Sequence, residues 1–328
     1  MWIKWYFMKR VLFLLFFISA FASAWAVQKS TYVFAERDTC NLKMDVYMPD
    51  DTLTSHPCVF FVFGGGFKMG ERNSPSAVAY LEKLANQGVV GVAIDYRLGL
   101  KGVETTSLVE LAKVMERAVN MGVEDTYSAI NYVLAHAAQF TVNPSQLVLS
   151  GSSAGAIISL QCDYYLQNGH ELSKVLPASF KFGGIVSFSG AIAAFNGKVK
   201  YQQQPAPTLF MHGTKDKLVV YNKLMVFGKG MFGSNALAKQ FVKNSWPYQF
   251  IRFTNFGHEI AVIGYKEHAD AVVDFVNRFV VAKAPIQIDM NWAENGVDKP
   301  LMDIDPAGLY GKSETSLSVS PQVLERIR

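Results

Sequence analysis

Leu149-Ser150-Gly151-Ser152-Ser153-Ala154-Gly155 reads as the end of a buried strand, a sharp turn and the start of a helix. Val148 and Leu149 close the strand. Small residues fill the turn, and Ala156-Ile157-Ile158-Ser159-Leu160 continues as an apolar helix. Within the stretch, Gly151-x-Ser153-x-Gly155 matches G-x-S-x-G, the pattern of a serine held on a tight strand-to-helix turn. Such a turn is strained and crowded, so the residues beside the serine must be small. It also sets the hydroxyl at a helix N-terminus, where free backbone N–H groups and the dipole favour developing negative charge. The pattern is short and arises by chance. Its alternative is a small-residue turn with no chemistry, and the flanking sequence has to separate the two.

Outward from that turn, apolar runs alternate with helical stretches. Strands are expected at 31–35, 42–48, 58–63, 89–94, 146–149, 184–188, 208–211 and 248–253. Most are continuous apolar runs, as strands buried on both faces should be. The run at 42–48 alternates in part, so the first two strands are expected to be antiparallel. Helical periodicity covers 76–87, much of 98–139, the run after the turn to about Leu166, part of 221–243, and the segment to Phe279. Asn143-Pro144 is the expected break after the long helical stretch. Strands separated by helices imply crossover connections, hence an α/β fold with a mostly parallel eight-stranded sheet and helices on both faces.

The 328 residues are half hydrophobic, enough for a substantial core, and the net charge is only +4. No basic stripe with interleaved aromatics is present, which argues against nucleic-acid binding. Lys9 and Arg10 precede an apolar run from Val11 to Phe21, and A-x-A matches follow at Ala22-Ser23-Ala24 and Ala24-Trp25-Ala26. That order of charge, apolar run and small residues is a secretory signal peptide, expected over 1–26. Export to the periplasm or the medium follows, with membrane attachment only if the segment stays uncleaved. The domain is expected over 27–284. Beyond Ala284 the composition turns to Pro, Asp, Asn, Gly and Ser, so 285–328 is expected as an extension that wraps the surface or is partly disordered. Of three cysteines, Cys58 and Cys162 fall in apolar elements and are expected as buried thiols. No Cys/His cluster has zinc spacing, and no metal is expected.

In an open parallel sheet, sites form at the carboxyl ends of strands. Three side chains with complementary chemistry fall there. Ser153 is a weak nucleophile unless a base takes its proton. His258, in Gly257-His258 after the last strand, is the candidate base, and of the other histidines only His212 also sits at a strand end. Asp216, in His212-Gly213-Thr214-Lys215-Asp216, is the candidate acid that would hold the histidine tautomer. Its alternative is a turn or helix cap. The N–H of Ala154 is a candidate donor to an oxyanion, and Gly64-Gly65-Gly66-Phe67 offers others, since glycine lets backbone approach a ligand closely. A phosphate loop is disfavoured because no G-x-x-x-x-G-K-[ST] pattern is present.

The chain order Ser, Asp, His is that of the α/β-hydrolases. Together with Phe63-Gly64-Gly65-Gly66-Phe67 and Gly70, Asp95-Tyr96-Arg97-Leu98, Asn143-Pro144, Gly151-Ser152-Ser153-Ala154-Gly155, His212-Gly213-Thr214-Lys215-Asp216 and Gly257-His258, the chain resembles an α/β-hydrolase of the carboxylesterase/lipase type over roughly residues 31–281. Phe63 stands where many members carry histidine, although an aromatic there also occurs in type-B carboxylesterases. The resemblance implies ester hydrolysis through an acyl-serine intermediate without a cofactor. It carries Ser153, Asp216 and His258 over as a triad, and Gly65, Gly66 and Ala154 as oxyanion donors. Small acyl esters are the expected substrates, with acetyl or feruloyl groups on glycans as one option. A serine peptidase of the same fold and a non-catalytic binding module are the alternatives. Asp95 and Arg97 are expected as loop anchors. Met225, Phe227, Met231 and Phe232 are expected either in the core or along an acyl pocket.

Overall fold

The computed structural model describes residues 27–38, 40–104, 107–195, 197–226, 228–303, 318–319 and 325–326. The expected signal segment lies outside them. In chain order the elements are β1 (Gln28–Arg37), β2 (Cys40–Met48), β3 (His56–Val62), α1 (Pro75–Ala85), β4 (Val90–Ile94), α2 (Leu108–Ala135), β5 (Val142–Ser152), α3 (Ala154–Gln167), β6 (Gly184–Phe188), β7 (Ala191–Ala194), β8 (Thr208–Gly213), β9 (Lys223–Val226), β10 (Lys229–Gly233), α4 (Ser234–Lys243), β11 (Tyr248–Phe253), α5 (Ile260–Glu267), α6 (Ala269–Phe275), β12 (Gln287–Trp292), β13 (Met302–Asp303) and β14 (Ser318–Val319).

One sheet organises them, in the order β1-β2-β4-β3-β5-β6-β8-β11-β12. β1 and β2 form an antiparallel pair, and β2 is antiparallel to β4. Every pairing from β4 to β12 is parallel. All residues of β4, β6 and β8 are buried, which is why they read as unbroken apolar runs. Side chains alternate between two helical layers. Phe61 and Phe188 meet Tyr80 of α1 and Tyr265 of α5. Phe210, of opposite parity, meets Phe241 of α4, and Ser187 faces Ala156 of α3 across Gly190. The sheet is thus covered on both faces.

Two expectations about the chain change. Among the described residues the sheet has nine strands, not the expected eight. The ninth, β12, lies in the segment expected as a wrap or partly disordered extension, and it pairs with β11 from Tyr248↔Gln287 to Phe253↔Trp292. Its sequence QIDMNW is almost wholly exposed because it is an edge strand, so it carries no apolar run. Polar contacts hold it instead: Asp289 accepts from Tyr248 and Arg252, and the Gln287 side chain donates to the carbonyls of Phe241 and Trp246. The long helix α2 also ends at Ala135, before Asn143-Pro144, and that dipeptide opens β5 where the register with β3 is irregular.

Glycines set the distances at the centre of the sheet. A methyl group on Gly155 would lie 2.0 Å from the Val62 carbonyl oxygen, and one on Gly151 would lie 2.2 Å from the Gly155 oxygen. The motif glycines are therefore the contact surface between α3, β5 and β3. Gly155→Ala is expected to lower the unfolding free energy by about 3 kcal/mol. Urea denaturation followed by tryptophan fluorescence measures this, and a loss below about 1 kcal/mol would mean that α3 can slide away from β3.

Candidate active site

Ser153 sits between β5 and α3 with φ 52° and ψ −116°, a conformation open to few side chains. Its N–H donates to the Phe188 carbonyl at 2.9 Å. The flanking serines are spent on structure: Ser150 donates to the Phe60 carbonyl at 2.7 Å and Ser152 to the Ala261 carbonyl at 2.6 Å. Only Ser153 turns its hydroxyl toward a base.

That base is His258, in the loop between β11 and α5. Ser153 Oγ lies 2.8 Å from His258 Nε2, and His258 Nδ1 lies 2.8 Å from Asp216 Oδ2. A carboxylate only accepts, so Nδ1 carries the proton and donates to Asp216, leaving Nε2 to accept from the serine. Ser153 is 9% exposed and His258 7%, so the pair borders solvent while Asp216 is shielded behind it. The structure brings together Ser153, Asp216 and His258 from the ends of β5, β8 and β11.

Asp216 is more heavily bonded than a triad alone requires. Its Oδ1 accepts from the N–H groups of Leu218 at 2.9 Å and Val219 at 3.0 Å. Its Oδ2 also faces His212 Nε2 at 3.2 Å. Burial alone pushes this carboxyl up, but the charge and hydrogen bonds of His258 and His212 outweigh it and hold the group well below the ordinary carboxylate range. His212 is fully buried; its Nε2 also lies 2.9 Å from the Val219 carbonyl and its Nδ1 2.8 Å from Ser234 Oγ. Its place at a strand end marked it in the sequence, but its contact with Asp216 comes only from the fold. The remaining histidines serve elsewhere: His56 meets Asp51 and Thr141, His136 the Tyr132 carbonyl, His170 caps a short helix, and His268 packs on Phe253 and Trp292.

The glycine loop lies against the elbow. A methyl group on Gly64 would come within 3.1 Å of Ser153 Cβ. Gly65 and Gly66 both have positive φ, 111° and 62°, and the Gly65 carbonyl closes a turn with the N–H groups of Lys68 and Met69. Among the described residues the N–H groups of Gly65 and Gly66 have no hydrogen bond, and Ala154, first in α3, has no preceding turn to bond. Three N–H groups without a partner thus lie next to Ser153 in the chain or in the glycine loop that packs on it. Phe63 packs on Tyr96 at a tilt, with ring centroids 4.5 Å apart, and the Tyr96 hydroxyl donates to the Phe63 carbonyl at 3.1 Å, which anchors the loop without a histidine.

The other singled-out residues are structural. Asp95 pairs with Arg72 and accepts from the Lys43 N–H, whereas Arg97 pairs with Asp125 and Glu124. Met225, Met231 and Phe232 belong to a small antiparallel sheet, β7-β10-β9, with Phe232 buried and both methionines packed on the core; Phe227 lies outside the described residues. Cys58 and Cys162 are buried and unbridged, and burial pushes both thiols up. Among the described residues no group of three His, Cys, Asp or Glu side chains could hold a metal ion, and no helix is long and apolar enough to cross a membrane.

A family model of the carboxylesterases matches residues 23–165, and one of the alpha/beta hydrolase fold matches residues 109–228. The fold is similar to that of a thermophilic esterase from the Planctomycetes species Thermogutta terrifontis, at TM-score 0.56 and 20% identity, over 78% of this chain and 93% of that one. It is likewise similar to an inhibited esterase B from Lactobacillus rhamnosis, at TM-score 0.59 and 17% identity, over 78% and 88%. Among curated proteins, gut esterase 1 of Caenorhabditis elegans is 28% identical over 38% of this chain and 21% of its own length. The carboxylesterase NlhH of Mycobacterium tuberculosis is 28% identical over 36% and 32%. The matched part spans less than a third of the length of either curated relative, with their 21% and 32% covered. The fold is the α/β-hydrolase fold. Within that fold the chain is similar to carboxylesterases over its N-terminal half.

The Asp216 carboxyl has a folded-state value below its unfolded one, so its stabilisation is complete above the unfolded value of about 4 and is lost as pH falls through the folded value. D216N is expected to be less stable than the wild type at pH 6, with the gap narrowing as pH drops below about 4. Melting temperatures at stepped pH values check this; a gap that does not change with pH would mean that Asp216 titrates alike in both states.

Proposed function

We propose that the chain is a serine carboxylic-ester hydrolase that works through an acyl-serine intermediate on small acyl esters. The observation that carries this reading is the pair of 2.8 Å contacts linking Ser153 to His258 and His258 to Asp216, on a strained turn. His258 Nε2 takes the proton as Ser153 Oγ attacks the ester carbonyl. Asp216 stabilises the imidazolium that forms. The carbonyl oxygen gains negative charge, and the N–H groups of Gly65, Gly66 and Ala154 are proposed to receive it. Collapse expels the alcohol, which takes the proton from His258. Water, deprotonated by the same histidine, then releases the acid and restores the serine.

Acetyl or feruloyl groups on glycans are the proposed natural esters, and export by cleavage of segment 1–26 is the proposed route to them. Lys9 and Arg10, the apolar run after them and the A-x-A sites support export. Export in turn favours extracellular esters over cytosolic ones.

The protein is expected to hydrolyse p-nitrophenyl acetate and to be labelled by a fluorophosphonate at Ser153. A folded preparation that takes no label would overturn the esterase reading and leave a binding module. D216N is expected to lower kcat by about 10⁴, the scale of losing a triad acid, and a loss under about tenfold would move the acid role to another carboxylate. A panel including acetylated xylan and feruloyl esters tests the glycan proposal, which fails if simple alkyl esters outcompete every glycan ester.

A further inference from the structure

We propose that the C-terminal segment positions the catalytic histidine, with Glu259 as the residue through which it acts. This rests on the esterase reading of Ser153, Asp216 and His258. Glu259 follows His258 directly, yet it is 0% exposed. Its carboxylate is satisfied by backbone: Oε1 accepts from the Gly257 N–H at 2.7 Å and the Leu301 N–H at 3.1 Å, and Oε2 accepts from the Met302 N–H at 3.2 Å. One donor precedes His258 in its own loop. The other two come from the tail, more than forty residues later. A single carboxylate therefore ties the histidine loop to the end of the chain.

The same loop is held by the tail at further points. The Thr254 N–H donates to the Trp292 carbonyl at 2.8 Å, and the Asn255 side chain donates to the Val297 carbonyl at 3.1 Å. Pro300 and the Met302 carbonyl crowd Gly257 so closely that a methyl group there would lie 3.0 Å from each. Arg326 pairs with Glu267 and Glu294 and stands over the buried ring of Phe256, 5.8 Å from its centroid. On its other side the loop is fixed to β8 and the loop after it, through Lys215 N–H to the Phe256 carbonyl at 2.8 Å and Asn255 N–H to Thr214 Oγ1 at 3.0 Å. Residues 254–259 are thus clamped between the acid loop and the tail.

The clamp has a catalytic consequence because the serine-histidine contact must hold to a fraction of an ångström, and a misplacement of about 1 Å can cost about a hundredfold in rate. Without the Leu301 and Met302 donors, Glu259 would be a buried carboxylate with one partner, and the loop would relax to solvate it. Ester binding, which uses the glycine loop and the mouth of the site, would be little affected. The signature is therefore a loss in kcat at nearly constant KM.

The test uses full-length wild type, Glu259→Gln, Leu301→Pro, which deletes one tail donor, and the double variant. Each is assayed with p-nitrophenyl acetate, labelled with fluorophosphonate, and followed by hydrogen-exchange mass spectrometry over residues 254–263. Expected are a drop in kcat of about tenfold or more with KM held within about twofold, slower labelling of Ser153 in proportion, and faster exchange in 254–263. The double variant should lose less than the two single losses combined, because both changes loosen the same contact between Glu259 and the tail. If Leu301→Pro does not fold, Arg326→Ala carries the test from the far end of the tail. A lower melting temperature with unchanged kcat, or unchanged exchange in 254–263, overturns the proposal. A wild type that neither hydrolyses nor labels overturns the esterase reading instead, and exchange in the variants still decides whether the tail holds the loop.

Discussion

The backbone of Ser153 stands in a conformation that costs of order 1–3 kcal/mol, and the molecule is arranged so that it cannot relax. Gly151 and Gly155 let β5, α3 and β3 approach to distances no side chain would permit. The Phe188 carbonyl takes the Ser153 N–H, and the hydroxyls of Ser150 and Ser152 tie the turn to β3 and α5. The strain points Oγ out of the sheet and toward the imidazole. Parallel pairing from β5 through β6 and β8 to β11 sets their carboxyl ends along one edge of the sheet, so the acid and the histidine arrive from the ends of the second and third strands beyond β5.

Two buried carboxylates then set the position of one imidazole. Removing a carboxylate from water costs several kcal/mol unless donors replace the water. Asp216 is satisfied by two backbone N–H groups and two histidines, and Glu259 by three backbone N–H groups. Such groups resist displacement, because moving any partner leaves a buried charge short of a donor. The arrangement makes the loops after β8 and β11 and the C-terminal segment into one hydrogen-bonded frame around His258.

Much of this was legible before folding was considered. Most of the eight expected strands announced themselves because strands buried on both faces are largely apolar, as β4, β6 and β8 are. The elbow was legible because steric crowding admits only small residues, and Ser153, Asp216 and His258 because each follows an apolar run. β12 was not legible: an edge strand exposed on both faces has no apolar pattern, and its pairing with β11 is backbone work. The hairpin of β9 and β10 was obscured for a similar reason, since β9 is largely exposed and its methionine-rich composition fits several environments.

The sequence by itself determined what is local: periodicity, the small-residue turn, and the order of serine, acid and histidine at strand ends. These follow from sterics and solvent exclusion acting over a few residues. The tertiary structure alone decided which polar groups meet. His212 was visible as a histidine at a strand end, yet its contact with Asp216 depends on how the loop after β8 doubles back. Glu259 carried no signal, because its donors at Leu301 and Met302 are backbone N–H groups that every non-proline residue possesses. Only the path of the chain brings them to the carboxylate.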